Sequence, residues 1–179
     1  YEGIVLLNHG IFTFADDGQS AYENMIKLVS EAEDYIKAQG AWEGAWEIAQ
    51  SAQEVEFSPL SIAQMRQQLS KLAATPMIVS WQHDAASVAF SALDKLESIA
   101  TQGPITPDHV IQTKPIPMIL ADDIDASIND FAAAYQRYFA EHASSKHLIL
   151  DCAPRVAIAP NKGLFAIAPS VKRNHIVAD

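Results

Sequence analysis

The sequence predicts a mixed α/β fold in which a central sheet is flanked by helices. Short apolar stretches alternate with longer stretches whose apolar residues recur every three or four positions, a pattern typical of strands alternating with helices. The chain has 179 residues, 49% of them hydrophobic and 19% charged, so disorder throughout is excluded and one domain or two small ones are expected.

The first forty residues predict a hairpin followed by a helix. A continuous apolar run at residues 4–7 predicts a buried strand, and the β-branched and aromatic residues at 11–14 predict a second strand. The segment Asn8-His9-Gly10 forms the turn between them. A helical spacing of apolar residues follows over residues 20–39, and Gly40 is expected to end that helix.

The same patterns predict the elements of the remaining chain. Helices are expected over residues 58–74, 84–101 and 125–142, and strands over residues 77–81, 116–121, 156–159 and 164–167. Residues 106–114 are polar and contain proline, which favours a loop with one helical turn.

Charge and cysteine content exclude several classes of protein. The 12 Lys and Arg residues against 22 Asp and Glu give a net charge of −10, which argues against binding to nucleic acids or anionic membranes. No apolar run approaches the ~20 residues that span a bilayer. The single cysteine, Cys152, excludes an intrachain disulfide framework and a cysteine-based zinc finger. We therefore expect a cytoplasmic protein in which Cys152 is a small buried apolar residue.

Both termini fall inside predicted elements. The chain opens within the apolar run at residues 3–7 without a methionine, and residues 170–179 read as the first turns of a helix. We therefore expect the chain to be a piece of a longer protein.

Two segments of the sequence are similar to each other. Residues 161–168 (Asn-Lys-Gly-Leu-Phe-Ala-Ile-Ala) resemble residues 8–15 (Asn-His-Gly-Ile-Phe-Thr-Phe-Ala) at an offset of 153 positions. If the similarity is a true repeat, the fold has two related halves. Lys162 then occupies the position of His9, which suggests a former metal site that now carries a cation.

His9 is the first candidate for chemistry. A histidine at the end of a strand can present a ring nitrogen to a metal or a substrate, although it can also simply form a hydrogen bond across the turn. A catalytic zinc usually has three protein ligands, and the sequence contains no His-x-His or His-x-x-x-His pair. His9 therefore cannot form such a site alone.

Residues 3–14, followed by a helix beginning Ala21-Tyr22, resemble the class II aldolase/adducin family. In that family the apolar strand ends in Asn-His-Gly, and the histidine is the third zinc ligand. The resemblance implies that His9 is a metal ligand and that Asn8 and Gly10 shape its turn. The other ligands, a His-x-His pair, and the catalytic carboxylate would precede Tyr1, so the zinc ligand set is incomplete in this chain.

Further motifs resemble the middle segment of bacterial fusions that join a class II aldolase to a short-chain dehydrogenase, of the rhamnulose-1-phosphate aldolase/lactaldehyde dehydrogenase type. These motifs lie at residues 103–109, 113–115, 135–139, 154–156 and 163–166. Pro169 departs from the pattern because a glycine is expected there, which leaves the start of the last helix open.

This resemblance implies two parts and a set of partners. Residues 1–56 would be the C-terminal part of an aldolase-like domain, and residues 57–179 a connecting α/β segment before a dehydrogenase domain. The alternative is that both parts form one compact unit. It implies zinc in the longer protein, NAD bound only outside this chain, a small sugar phosphate as substrate, and a homo-oligomer. The isolated chain would be inactive. One alternative is a non-catalytic scaffold or oligomerisation module of a short-chain dehydrogenase. The other is a dehydrogenase whose aldolase-like part is vestigial.

Three further residues are candidates for a substrate or phosphate contact. His109 either contacts a ligand together with Lys114 or is a polar surface residue beside a helix cap. Lys114 either belongs to a binding loop or is an ordinary solvated lysine. Arg155 either binds an anion through its guanidinium fork or forms a structural salt bridge.

The aromatic residues have simpler interpretations. The helical spacing of the aromatic residues at 131, 135, 138 and 139 predicts core packing. Trp42 and Trp46 fit either a subunit contact or a flexible cover.

Overall fold

The mixed α/β class is confirmed by a computed structural model of the chain. The structure describes residues 1–7, 9–41, 56–104 and 107–179. The predictions for Asn8, Trp42, Trp46 and the start of the 106–114 segment lie outside the described residues.

The N-terminal part is a hairpin with one helix. Strands β1 (Gly3–Leu6) and β2 (Gly10–Thr13) pair antiparallel as a two-stranded sheet, and α1 (Gly18–Ala38) follows. Asp17 caps α1, because its carboxylate accepts a hydrogen bond from the Ser20 amide at 2.9 Å.

The prediction that the first strand is buried is wrong. Ile4 is 54% exposed, and Val5 and Leu7 are exposed as well. The continuous apolar run correctly indicates a strand built for burial on both faces, but α1 packs on the hairpin from one side only.

The remaining strands form a second sheet rather than extending the first. They are β3 (Ile78–Gln82), β4 (Met118–Ile119), β5 (Val156–Ala159) and β6 (Gly163–Ala168). The strand order is β3-β6-β5-β4, in which β3–β6 and β6–β5 pair antiparallel and β5–β4 pair parallel. The predicted central sheet is this four-stranded sheet, and within the described residues the hairpin is a separate two-stranded sheet.

Helices α2 (Pro59–Leu72) and α6 (Ile124–His142) enclose the core on this second sheet. The core joins Met65 and Leu69 of α2 and Phe131 of α6 to Phe165 and other apolar side chains of the strands. Core packing was also predicted for the other aromatic residues of α6, but Tyr138 is exposed and Phe139 only half-buried, because they lie toward the solvent side of the helix.

The helix predicted over residues 84–101 is two helices, α3 (Ala85–Ser91) and α4 (Leu96–Ala100). A continuous helix would need the Ser91 carbonyl oxygen to accept from the amide of Lys95. That oxygen instead accepts from the amide of Asn161 at 3.0 Å. A tertiary hydrogen bond therefore replaces the helical one and ends α3.

Two other predicted boundaries differ. The predicted strand 116–121 pairs only over Met118–Ile119, and Pro117 before it has no amide to donate. Instead of a loop with one helical turn, residues 107–113 form the seven-residue helix α5 (Pro107–Thr113).

Helix α7 (Val171–Ala178) closes the described chain. The Ser170 hydroxyl caps it by accepting from the Arg173 amide at 3.3 Å, so Pro169 does not prevent the helix from starting. No described helix is long and apolar enough to cross a membrane.

Candidate functional site

His9 lies in the short connection between β1 and β2. Its amide donates to the carbonyl oxygen of Leu6 at 3.1 Å, which holds the turn closed. Its ring is parallel to that of Phe12, with the ring centroids 6.3 Å apart, and the side chain is exposed. The imidazole can therefore be reached by a ligand or metal from outside the hairpin.

The described residues do not assemble a complete metal site around His9. No group of three or more His, Cys, Asp or Glu side chains in the described ranges is placed to hold a metal ion. A single exposed imidazole suits a zinc ligand, but the other ligands would have to come from elsewhere.

The equivalent turn in the second sheet carries Lys162. Its amide donates to the carbonyl oxygen of Ala159 at 2.8 Å, and its own carbonyl oxygen accepts from the Trp81 indole N–H at 2.7 Å. The exposed ammonium lies 5.5 Å from the ring centroid of Phe57. The turn holds its backbone firmly while it leaves the charge accessible.

Lys162 borders a cleft that the sequence did not reveal. The cleft has a volume of about 450 Å³, and its polar lining includes Ser58, Asp122 and Asn161. Ser58 precedes α2, Asp122 follows β4 and Asn161 lies between β5 and β6. These positions are distant in the sequence, so no local pattern could predict that they line one cleft.

Lys114 is a charged residue that is buried in the described part of the chain. It follows α5 with a left-handed backbone (φ +66°), and its amide closes that helix by donating to the Val110 carbonyl oxygen at 3.0 Å. Its side chain is buried rather than solvated, which contradicts the interpretation as an ordinary surface lysine. The ammonium donates to the main-chain oxygen of Asp151 and lies 3.9 Å from the ring centroid of Tyr135.

Burial changes the acidity of this group. Loss of hydration lowers the pKa of Lys114 to about 8, although the negative charge of Asp151 acts in the opposite direction. Burial is also the main reason why the pKa of Tyr135 is raised. A fraction of Lys114 is therefore neutral near physiological pH.

Arg155 binds the same segment through Asp151 and Ala153. Its guanidinium contacts both carboxylate oxygens of Asp151, one of them at 3.0 Å, and also donates to the Ala153 carbonyl oxygen at 2.9 Å. Partial burial raises the pKa of Asp151, but the hydrogen bond and charge of Arg155 outweigh it and leave that pKa lowered. This geometry matches the salt-bridge interpretation of Arg155, because its fork is already occupied.

The structure thus joins two of the three predicted contact residues. Lys114 and Arg155 meet at Asp151, which sequence reasoning missed even though it lies four positions before Arg155. His109 is exposed on α5, and its carbonyl oxygen accepts from the Thr113 hydroxyl at 2.9 Å. Cys152 is half-buried rather than buried, because it lies on an irregular segment beside this cluster. Any ligand contact by these residues stays a prediction.

Comparisons with known proteins show what this chain is similar to. The family described as "Aldolase class II, second domain" matches residues 57–179. An "Uncharacterized oxidoreductase YuxG" of Bacillus subtilis (strain 168) is 23% identical over 188 aligned positions, which cover 91% of this chain and 26% of that protein. The chain therefore spans about a quarter of the length of this relative. No solved structure matches the chain. Since the family match covers more than half of its residues, the chain belongs to the class II aldolase second-domain family.

Proposed function

We propose that the chain is part of a bifunctional protein in which a zinc-dependent sugar-phosphate aldolase is fused to a short-chain dehydrogenase, and that it is inactive alone. Membership of the class II aldolase second-domain family supports the first half of this proposal. The similarity to a longer protein named as an oxidoreductase supports the second. The substrate class that we propose is a ketose 1-phosphate of the rhamnulose-1-phosphate type.

The single observation that carries the proposal is the position of His9. The strand-turn-strand geometry exposes its imidazole at the end of the hairpin, where it can provide one ligand to a metal held by other residues. A bound zinc would polarise the substrate oxygens and stabilise the enediolate produced by carbon–carbon cleavage. In this chain His9 only binds and orients, and the proton-transferring carboxylate is supplied from outside residues 1–179.

The test is an assay of the full-length product of the gene that encodes this chain. We expect it to cleave rhamnulose 1-phosphate, and we expect His9→Ala to reduce kcat by on the order of a hundredfold or more, as for loss of an electrostatic stabiliser. His175→Ala, in an exposed part of α7, is the matched control and should leave the rate unchanged. Residues 1–179 alone should show no cleavage. Equal activity of the His9→Ala and His175→Ala variants would contradict the proposal.

The scaffold alternative has one observation in its favour. Strands β1 and β2 expose an apolar surface that includes Ile4, Leu6 and Phe12, as expected of a module that packs against another protein part. A His-x-His pair before Tyr1 favours the aldolase. Its absence, with a glycine-rich dinucleotide turn after Asp179, favours the scaffold of a dehydrogenase.

A further inference from the structure

The two similar sequence segments fold into the same unit. In both, two short antiparallel strands are joined by three residues and are followed by a helix that a side chain caps. At an offset of 153 residues, β1 (Gly3–Leu6) corresponds to β5 (Val156–Ala159), and β2 begins at Gly10 where β6 begins at Gly163. The helices α1 and α7 also begin at corresponding residues, Gly18 and Val171.

Individual hydrogen bonds correspond at the same offset. The turn bond from the His9 amide to the Leu6 carbonyl oxygen matches the bond from Lys162 to Ala159. Beyond the paired strands, the bond from Phe14 to Glu2 matches the bond from Ile167 to Arg155. The capping residues of the two helices, Asp17 and Ser170, are also equivalent positions.

One face of each hairpin carries the helix that follows it. In the first unit the Thr13 hydroxyl donates to the Ala21 carbonyl oxygen of α1 at 2.7 Å. In the second unit the Asn174 amide of α7 donates to the Ala166 carbonyl oxygen at 2.8 Å. Thr13 and Ala166 are equivalent positions, as are Ala21 and Asn174. Each helix therefore packs against the strand face that carries these residues, with Val5 on that face of the first unit left 65% exposed.

The opposite faces have equivalent residues but opposite exposure. In the second unit this face is buried, and the exposed fractions are 0% for Ala157, 2% for Ala159, 0% for Phe165 and 0% for Ile167. The equivalent residues of the first unit are also apolar, with exposed fractions of 54% for Ile4, 44% for Leu6, 53% for Phe12 and 44% for Phe14. We call these four residues the hairpin face.

The second unit shows what kind of structure covers such a face. There, α2 contributes Met65 and Leu69, and α6 contributes Ile128 and Phe131, to the core that includes Phe165. The cover is therefore a layer of amphipathic helix, whereas a second copy of the chain would bring another sheet face.

We propose that the hairpin face is an interaction surface that takes a layer of amphipathic helix from the same protein, supplied by polypeptide beyond residues 1–179. The B. subtilis relative is matched over only 26% of its length, so a protein of this kind carries enough additional chain to supply the layer. The inference rests on the proposed function only in that the chain is part of a longer protein, and not on zinc or aldolase activity.

Thermal unfolding of the full-length gene product tests the proposal. Phe12→Ser should lower its Tm by several degrees, because a buried aromatic side chain is lost. Tyr22→Ser, which changes an exposed aromatic residue of α1 outside the face, should leave the Tm unchanged. Equal Tm values for the two variants would overturn the proposal.

Labelling covers the case in which Phe12→Ser fails to fold. In a Cys152→Ser background, a cysteine introduced by Phe12→Cys should react rapidly with a thiol reagent in residues 1–179. In the full-length product we expect that reaction to be on the order of tenfold slower or more, because the site is protected. Equal rates would overturn the proposal. So would a stable dimer of residues 1–179 that Phe12→Ser dissociates, since a second copy would then be the partner.

Discussion

The buried ammonium of Lys114 donates a hydrogen bond to the main-chain oxygen of Asp151, across a sequence separation of 37 residues. This contact ties the end of α5 to the irregular segment before β5. The guanidinium of Arg155 donates to the carboxylate of the same Asp151. Asp151 therefore accepts hydrogen bonds from two cations, one at its main-chain oxygen and one at its carboxylate.

The burial of Lys114 predicts that the folded chain becomes more stable as the pH rises into the alkaline range. Its pKa is about 8 in the folded chain and near 10.5 when unfolded, so the unfolded state binds more protons between these values. The free energy of unfolding should therefore rise with pH from about 8 to 10.5, by at most ~3 kcal/mol.

Urea unfolding at pH 7 and pH 10 measures this effect. The rise should be smaller in Lys114→Met than in the wild type, while the exposed-residue control Lys172→Met keeps it. An identical pH dependence in Lys114→Met and wild type would contradict the assignment.

The Asp151–Arg155 pair predicts a pH effect of the same sign in the acid range, where stability also rises with pH. Both side chains are mostly buried, so Arg155→Met should lower the free energy of unfolding by about 2 kcal/mol at pH 7. The pKa of Asp151 is lowered, so this contribution is present above about pH 3.8 and is lost as the pH falls through the folded-state value. The matched control is Lys37→Met, which removes an exposed pair with Glu33 and should cost little. A difference between Arg155→Met and wild type that persists unchanged at strongly acid pH would count against the pairing.

The backbone around Gly163 leaves no room for a side chain at that position. It has φ +96°, and a Cβ there would lie 2.2 Å from the carbonyl oxygen of Gln82. Gly163→Ala should therefore lower the free energy of unfolding by on the order of 3 kcal/mol or more. At Gly18, in the first turn of α1, a Cβ meets nothing within 4 Å, so Gly18→Ala should be neutral or slightly stabilising. Similar urea midpoints for the two variants would refute this account of the β3–β6 junction.

Removing the Ser91 hydroxyl should lower the free energy of unfolding by a smaller amount at the same junction. Its buried hydroxyl accepts from the Gly163 amide at 2.9 Å and donates to the Val88 carbonyl oxygen at 2.8 Å. Ser91→Ala would leave that amide unsatisfied and should cost about 1–3 kcal/mol by urea unfolding, whereas the exposed Ser98→Ala should cost less. A loss no larger than that of the control would show that water replaces the serine.

Local sequence patterns predicted the helices and strands of this fold better than they predicted which of these elements lie next to each other. The strand at 78–82 and the helix beginning at Pro59 follow from β-branched residues and from a proline at a helix start. The break after Ser91 was not predicted, because it depends on a hydrogen bond to Asn161, 70 positions away. The separation of the hairpin from the central sheet was not predicted for the same reason, since an apolar run indicates a strand but not its neighbours.

The candidate site was predictable only in part. The motif around His9 is local, and its turn is found where the sequence places it. The burial of Lys114 could not be read from the sequence, because the covering groups, Asp151 and Tyr135, lie on other segments. The hairpin repeat was visible in the sequence, whereas the unequal exposure of its two faces required the structure.

The zinc content of the full-length gene product tests the central claim most directly. Mass spectrometry of the purified protein should find about one zinc per chain, consistent with a single three-ligand site. His9→Ala should lose most of that zinc, while His175→Ala keeps it. A wild-type protein without zinc, or a His9→Ala variant that retains it, would contradict the assignment of His9 as a metal ligand.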